Sequence, residues 1–167
     1  MTYLAPAGTG VGHIHLRVSD LERSVAFYRD VMGFTVQARM AGAAFLGAGG
    51  YHHHIGLNTW QSAGARAPER GHTGLYHAAF VYPTQDDLRV AAKRVRDAGV
   101  EIYGAADHGV SLALYFDDPD GNGVEIYWDR PRADWPRDDD GALTLVNDRF
   151  DASLFLDQGR LQDRTAP

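Results

Sequence analysis

The chain has 167 residues, 44% hydrophobic and 23% charged, with a formal net charge of −6 and no cysteine. That length suits one domain with a sizeable core. The lack of cysteine excludes disulfides, thiolate catalysis and zinc–cysteine sites, and the negative balance argues against nucleic acid as a partner. No apolar run is long enough to span a membrane, and the start Met1-Thr-Tyr-Leu-Ala-Pro6 has neither the basic region nor the apolar core of a secretion signal. The expected location is therefore the cytoplasm, with no membrane partner.

The opening strand is expected at 12–18. Ser19-Asp-Leu-Glu22 reads as a capping box, with Ser19 at the N-cap and Glu22 at the third helical position. Leu21, Val25, Tyr28 and Met32 then recur at helical spacing, and Gly33 is placed to end the helix. Three strands are expected at 34–39, 43–46 and 52–58, with Gly47, Gly49 and Gly50 in the turn before the last. Residues 61–73, rich in Gly, Ala, Arg and Pro, read as a linker.

A second opening strand covers 75–82. Thr84 is placed to cap a helix whose apolar face carries Leu88, Ala91, Ala92 and Val95, and Gly99 ends it. Strands are expected at 100–104, 111–117 and 123–128, and the turn-rich run Asp118-Pro-Asp-Gly-Asn-Gly123 joins the last two. Residues 131–167 read as an irregular extension, with 151–158 forming a short helix or holding a loop. The order βαβββ is thus written twice, over about 11–60 and 74–128. The fold class is α+β: two such units form one domain, 1–130, with a curved, mostly antiparallel sheet around a cleft.

Histidine is the anomaly, with eight in the chain and three consecutive at His52, His53 and His54. His13 and His77 lie in the two opening strands. Glu125, flanked by Val124 and Ile126, must point away from the face those apolar neighbours cover, because strand side chains alternate. If these three converge, they make a 2-His-1-carboxylate set, which leaves open metal positions and is diagnostic of non-haem Fe(II) oxygen chemistry. Along an alternating strand, His52 and His54 share one face and His53 takes the other, against a helix or a backbone carbonyl. His15 and Arg17 share the face of His13 and are candidates to line the cleft. Arg17 either pairs with a substrate carboxylate or faces water at the rim. Trp60 and Trp128 either shape the pocket or belong to the core, and His72 reads as a surface loop residue.

Gly12-His-Ile-His-Leu-Arg-Val-Ser-Asp20, with the following Leu-Glu-Arg-Ser-Val-Ala-Phe-Tyr-Arg-Asp-Val-Met-Gly-Phe34, resembles the opening motif of the vicinal oxygen chelate superfamily. Asp118-Pro-Asp-Gly-Asn-Gly-Val-Glu125 resembles its closing motif. The likeness covers roughly residues 11–128 and is greatest toward type I extradiol dioxygenases, in particular the small single-domain catechol dioxygenases that include those acting on dihydroxyphenylalanine. It implies metal ligands at His13, His77 and Glu125, and an acid–base histidine at His54, with His52 as its rival. It implies a substrate-binding tyrosine at Tyr115, ten residues before the glutamate. It also implies a histidine that donates to substrate at His108, in His108-Gly-Val-Ser111, two residues nearer the tyrosine than the family pattern.

The implied function is Fe(II)-dependent extradiol cleavage of a small catechol with O2, with Mn(II) as an alternative metal and His52, His15 and Arg17 around the substrate. A homodimer or higher homo-oligomer is the expected assembly. The alternative is a glyoxalase-like isomerase or lyase. Those enzymes usually carry a fourth ligand, a glutamate, on the strand closing the first unit, and the run His52 to Trp60 contains no carboxylate. A non-catalytic antibiotic-binding protein of the same superfamily would need none of these ligands.

Overall fold

The computed structural model describes residues 2–69 and 71–162, the last five by backbone alone. The chain forms two compact units, Met1–Arg66 and Ala67–Pro167. Among the described residues no helix is long and apolar enough to cross a membrane.

The first unit contains β1 (Ile14–Arg17), α1 (Leu21–Ala26), β2 (Thr35–Met40), β3 (Ala43–Gly47) and β4 (Ile55–Asn58), in a four-stranded sheet of order β1-β4-β3-β2. β1 runs parallel to β4 and the other pairings are antiparallel. α1 widens into a π-turn over Phe27–Val31, and Gly33, at φ +83, ends it. Val25, Tyr28 and Met32 are buried, as their spacing predicts. The N-cap differs: it is Asp20, not Ser19, and its carboxylate accepts the Arg23 backbone N–H at 3.1 Å. Glu22 instead forms an ion pair with Arg39. A carboxylate one residue later caps the helix equally well, accepting the N–H one position further on.

The first unit closes later than expected. β4 begins at Ile55, and the backbone bends at His52 and His54. The bend follows from the turn before it. A Cβ on Gly47 would stand 2.3 Å from the Tyr51 carbonyl oxygen, so a glycine is needed where the chain folds back on itself.

The second unit contains β5 (Ala78–Val81), α2 (Gln85–Asp97), β6 (Gly104–Asp107), β7 (Ser111–Asp117), β8 (Gly123–Asp129), β9 (Asp148–Arg149) and α3 (Ala152–Gln162). Its sheet order is β5-β8-β7-β6-β9, with β5 parallel to β8. Thr84 caps α2 as expected, accepting the Asp87 N–H at 3.1 Å, a contact worth about 1 kcal/mol. Leu88, Ala91, Ala92 and Val95 are its buried face. β6 lies beyond the expected 100–104. Val100, Ile102 and Tyr103 look more strand-like, yet the ladder to β7 is made by Gly104–Asp107.

The extension is part of this second unit. β9 adds to the sheet edge through Ala106↔Arg149 and Asp107↔Asp148. α3 docks on α2, where Arg89 donates to the Phe155 carbonyl at 3.1 Å and lies over the Phe155 ring. Phe155 and Leu156 are buried. Among the described residues the fold is thus two mixed sheets with few helices and no closed barrel.

Candidate functional site

In the second unit the ladders fix the site before any side chain is considered. Glu125 on β8 stands opposite Tyr115 on β7 and opposite Ala79 on β5. Val124 and Ile126 are fully buried, so Glu125 faces away from them, as the alternation predicts. His77, two residues before Ala79, falls on the Glu125 face. Its Nε2 lies 2.8 Å from Glu125 Oε2. Gly123 allows this: a Cβ there would sit 2.4 Å from the Tyr76 carbonyl and 3.2 Å from His77 Cβ.

The loop joining β7 and β8 holds that register. Asp118 is buried, and its carboxylate accepts from the backbone N–H groups of Asp120 and Asn122, both at 2.9 Å, and from the Asn122 amide. The turn-rich loop is therefore a clamp on the strand pair that carries Tyr115 and Glu125.

The Tyr115 hydroxyl lies 2.8 Å from His108 Nε2 and faces the Glu125 carboxylate, a second acceptor for its one O–H. Its ring centroid is 5.6 Å from that of His77. Burial, then the negative charge of Glu125 and the hydrogen bond to it, hold the phenol well above its ordinary range. Tyr115 thus stays protonated and carries one O–H between a carboxylate and an imidazole. His108 sits in the short turn between β6 and β7, with Nδ1 3.1 Å from the Val146 carbonyl.

In the first unit His13 and His15 precede and occupy β1, with Arg17 two residues on. Leu16 is buried, while His13, His15 and Arg17 are exposed on the opposite face. The His15 ring lies over Gly56, its partner in the β1–β4 register, between Phe45 at 5.8 Å and Trp60 at 5.7 Å. Trp60 is an exposed wall rather than core, anchored by its Nε1–H to the Ala41 carbonyl at 3.0 Å.

The three consecutive histidines depart from the expected alternation. The His53 ring lies 4.5 Å from His13 and 5.2 Å from Phe45. The His54 ring lies against Tyr51 at 4.6 Å and Phe34 at 6.2 Å. His54 Nδ1 accepts the Ala48 N–H at 3.2 Å, closing the Gly47–Tyr51 turn. His53, not His54, therefore accompanies His13. The cause is the bend at positions 52 and 54, which cancels the period-2 rule before β4 begins. His52 stays with His53 through an Nδ1–Nδ1 contact of 2.7 Å. Partial burial, then the positive character of His13 and its histidine neighbours, lowers the His53 pKa.

Among the described residues, no three His, Asp or Glu side chains are gathered into a ready metal cluster. The second unit alone supplies two donors. Their spacing suits a shared ion: two ligands in cis positions on an octahedral centre, with bonds of about 2.1 Å, stand about 3 Å apart. One imidazole with one carboxylate is also the chemistry that Fe(II) and Mn(II) accept. His72 lies apart, exposed and bonded to the Glu69 carbonyl. The Val146 carbonyl beside His108 carries no signal in a sequence pattern, since it is a backbone group brought in by the tail.

The pattern of the Glyoxalase/Bleomycin resistance protein/Dioxygenase superfamily matches residues 10–126. The chain belongs to that superfamily. It is 39% identical over 158 residues to a catechol-2,3-dioxygenase of Bacillus subtilis (strain 168), covering 95% of this chain and 55% of that protein. It is 36% identical over 121 residues to biphenyl-2,3-diol 1,2-dioxygenase 3 of Rhodococcus globerulus, covering 71% and 63%. The chain therefore spans less than two thirds of the length of these superfamily relatives. A glyoxalase/dioxygenase from Nostoc punctiforme shares the fold at a TM-score of 0.61 and 23% identity, over 78% of this chain and 98% of that one.

Proposed function

We propose that the protein is an extradiol-type ring-cleaving dioxygenase acting on a small catechol with O2, and that His77 and Glu125 hold its divalent metal. The third donor in this reading is His13, as the family resemblance implies. The observation that carries it is the 2.8 Å approach of an imidazole nitrogen to a carboxylate oxygen, at the positions of the family's ligands. The catechol and biphenyl-diol substrates named for the relatives agree with this chemistry.

A bound Fe(II), or Mn(II) in its place, supplies chelation of two adjacent catechol oxygens and a path for electron density from ring to dioxygen. The protein supplies proton handling and orientation. His53, beside His13, is placed to take a catechol hydroxyl proton and return it later, work suited to an imidazole. Tyr115 turns its O–H from His108 to a catechol oxygen when substrate binds. Phe45, His15 and Trp60 present aromatic edges to a flat ring. Arg17, on the same face, favours a substrate with an anionic substituent. A catechol amino acid such as dihydroxyphenylalanine is a candidate substrate.

The test is anaerobic loading with Fe(II), then a panel of catechols and air. A yellow ring-cleavage product with stoichiometric oxygen uptake supports the proposal. No product from any catechol, with turnover of a hemithioacetal on Ni(II) or Zn(II), replaces it with the isomerase reading.

A further inference from the structure

We propose that the backbone carbonyl of Val146, delivered by the C-terminal segment, is a positioning group that fixes the tautomer of His108 and turns its bare Nε2 toward Tyr115. The catalytic consequence rests on the dioxygenase reading above, but the tautomer itself does not.

A carbonyl only accepts. His108 Nδ1, 3.1 Å from the Val146 oxygen, must therefore carry the proton in that contact. A neutral imidazole has one N–H, so Nε2 is left as an acceptor, 2.8 Å from the Tyr115 hydroxyl. Neutral His108 can thus receive the Tyr115 O–H, in competition with the Glu125 carboxylate, but cannot donate to anything at that end. It becomes a donor through Nε2 only as the imidazolium. The sequence expectation that His108 donates directly to substrate is narrowed to the charged form.

The segment is built to hold that carbonyl still. The Val146 N–H donates back to the His108 carbonyl at 3.2 Å, so the two residues are tied twice. The Thr144 N–H donates to the Pro136 carbonyl at 2.9 Å, closing the segment on itself. Trp135 Nε1–H donates to the Arg130 carbonyl at 2.9 Å, and Arg130 pairs with Asp107 at 2.6 Å. Asp107 in turn accepts the Gly109 N–H at 2.8 Å. Next to His108, Gly109 has φ +76, and a Cβ there would stand 2.8 Å from Pro136 Cγ and 3.4 Å from Val146 Cγ2. Both its backbone angle and the closeness of the tail demand glycine. Just beyond the segment, β9 pairs with β6, the strand that leads into His108.

The direct experiment is a two-bond 1H–15N correlation spectrum of the metal-free full chain carrying ring-15N histidine, with His108 assigned by the signal lost in His108→Gln. The expected result is neutral His108 protonated at Nδ1 alone. An Nε2–H tautomer, or an average of the two, overturns the proposal. In Gly109→Ala, which pushes the tail from the loop, the spectrum is expected to become a mixture, whereas Leu145→Ala, exposed in the same segment, keeps the single form. A single Nδ1–H tautomer in folded Gly109→Ala also overturns it. If that variant fails to fold, the wild-type spectrum decides alone. In the metal-loaded enzyme, Gly109→Ala is expected to lower kcat about 10–100-fold with KM little changed, the size seen when a group orienting a functional histidine is lost. The expected tautomer in a protein that cleaves no catechol removes the dioxygenase reading and leaves this inference standing.

Discussion

Tyr115 and Glu125 stand directly opposite each other on the β7–β8 ladder, and the hydroxyl of one has the carboxylate of the other as an acceptor beside His108. Cross-strand partners are the closest side chains a sheet offers, so the ten-residue spacing in the sequence is the length of a hairpin that folds these two groups into contact. Tyr115→Phe keeps the ring and removes the bond. A hydrogen bond to a charged group is worth about 1.5–3 kcal/mol, so kcat/KM for a catechol is expected to fall about 10–100-fold. Metal content, measured on the same preparation, is expected to stay unchanged. Loss of metal from this variant would mean that the tyrosine acts through Glu125 and not on substrate.

Removing a donor tests the metal assignment itself. Glu125→Gln keeps the size of the side chain and loses its charge; His77→Ala removes the imidazole. Outer groups that only orient a ligand cost about 10–100-fold in affinity, so the loss of a ligand is expected to cost more than about 100-fold. His13→Ala is expected to do the same. Elemental analysis after anaerobic Fe(II) loading and gel filtration reads this directly. Metal retained at wild-type stoichiometry in all three variants would refute the assignment.

The duplicated βαβββ order was legible because each unit carries a strand, an amphipathic helix and turn glycines in the same sequence. Glu125 was legible for a simpler reason: Val124 and Ile126 had to be buried, which leaves one face for the carboxylate. The N-cap slipped by one residue because Ser19 and Asp20 are equally good cap chemistry, and tertiary pairing of Glu22 with Arg39 removed the capping box. β6 starts later than the sequence suggests because Val100, Ile102 and Tyr103 have strand-like side chains, whereas the ladder to β7 is made by Gly104–Asp107. In the tail only the closing helix was legible, one of the two readings of 151–158, since the stretch before it packs through backbone carbonyls and a two-residue strand that no periodicity announces.

Asp118 holds the hairpin that brings Tyr115 and Glu125 together. Asp118→Ala leaves half-buried donors at Asp120, Asn122 and the Asn122 amide without their acceptor. The expected loss is about 2–3 kcal/mol, which lowers Tm by roughly 4–12 °C for a chain of this size. Asp118→Asn keeps one acceptor oxygen and is expected to lose about half as much. Thermal melts followed by circular dichroism give both numbers. Equal stability of all three proteins would mean that the loop does not set the register.

Gly56 lies beneath the His15 ring, and a Cβ there would stand 2.8 Å from His15 Cγ. His15 is exposed, so its ring is free to lift by rotating about χ1. The expected cost of Gly56→Ala to folding is therefore under about 1 kcal/mol, less than overpacking in a closed core. What changes is the surface offered to a ring between Phe45 and Trp60. KM for a catechol is expected to rise while kcat holds. A large drop in Tm with KM unchanged would place Gly56 in the architecture of the sheet alone.

His53 and His54 stand the other way round from the sequence expectation, which assigned proton transfer to His54 and packing to His53. His53 stands beside His13 with its ring in the open row that ends at Trp60, whereas His54 spends Nδ1 on the Ala48 N–H and its ring on Phe34 and Tyr51. General acid–base groups contribute about 10²–10⁴-fold, so His53→Gln is expected to lower kcat within that range with little change in melting temperature. His54→Gln loses the Ala48 contact and the ring packing, a cost of about 1–2 kcal/mol, with kcat per folded molecule reduced far less. Single-turnover rates with a catechol, paired with thermal melts of each variant, distinguish the two. If the larger rate loss fell on His54→Gln, the bend at positions 52–54 would have to straighten when substrate binds, and His53 would lose its assignment as the proton acceptor.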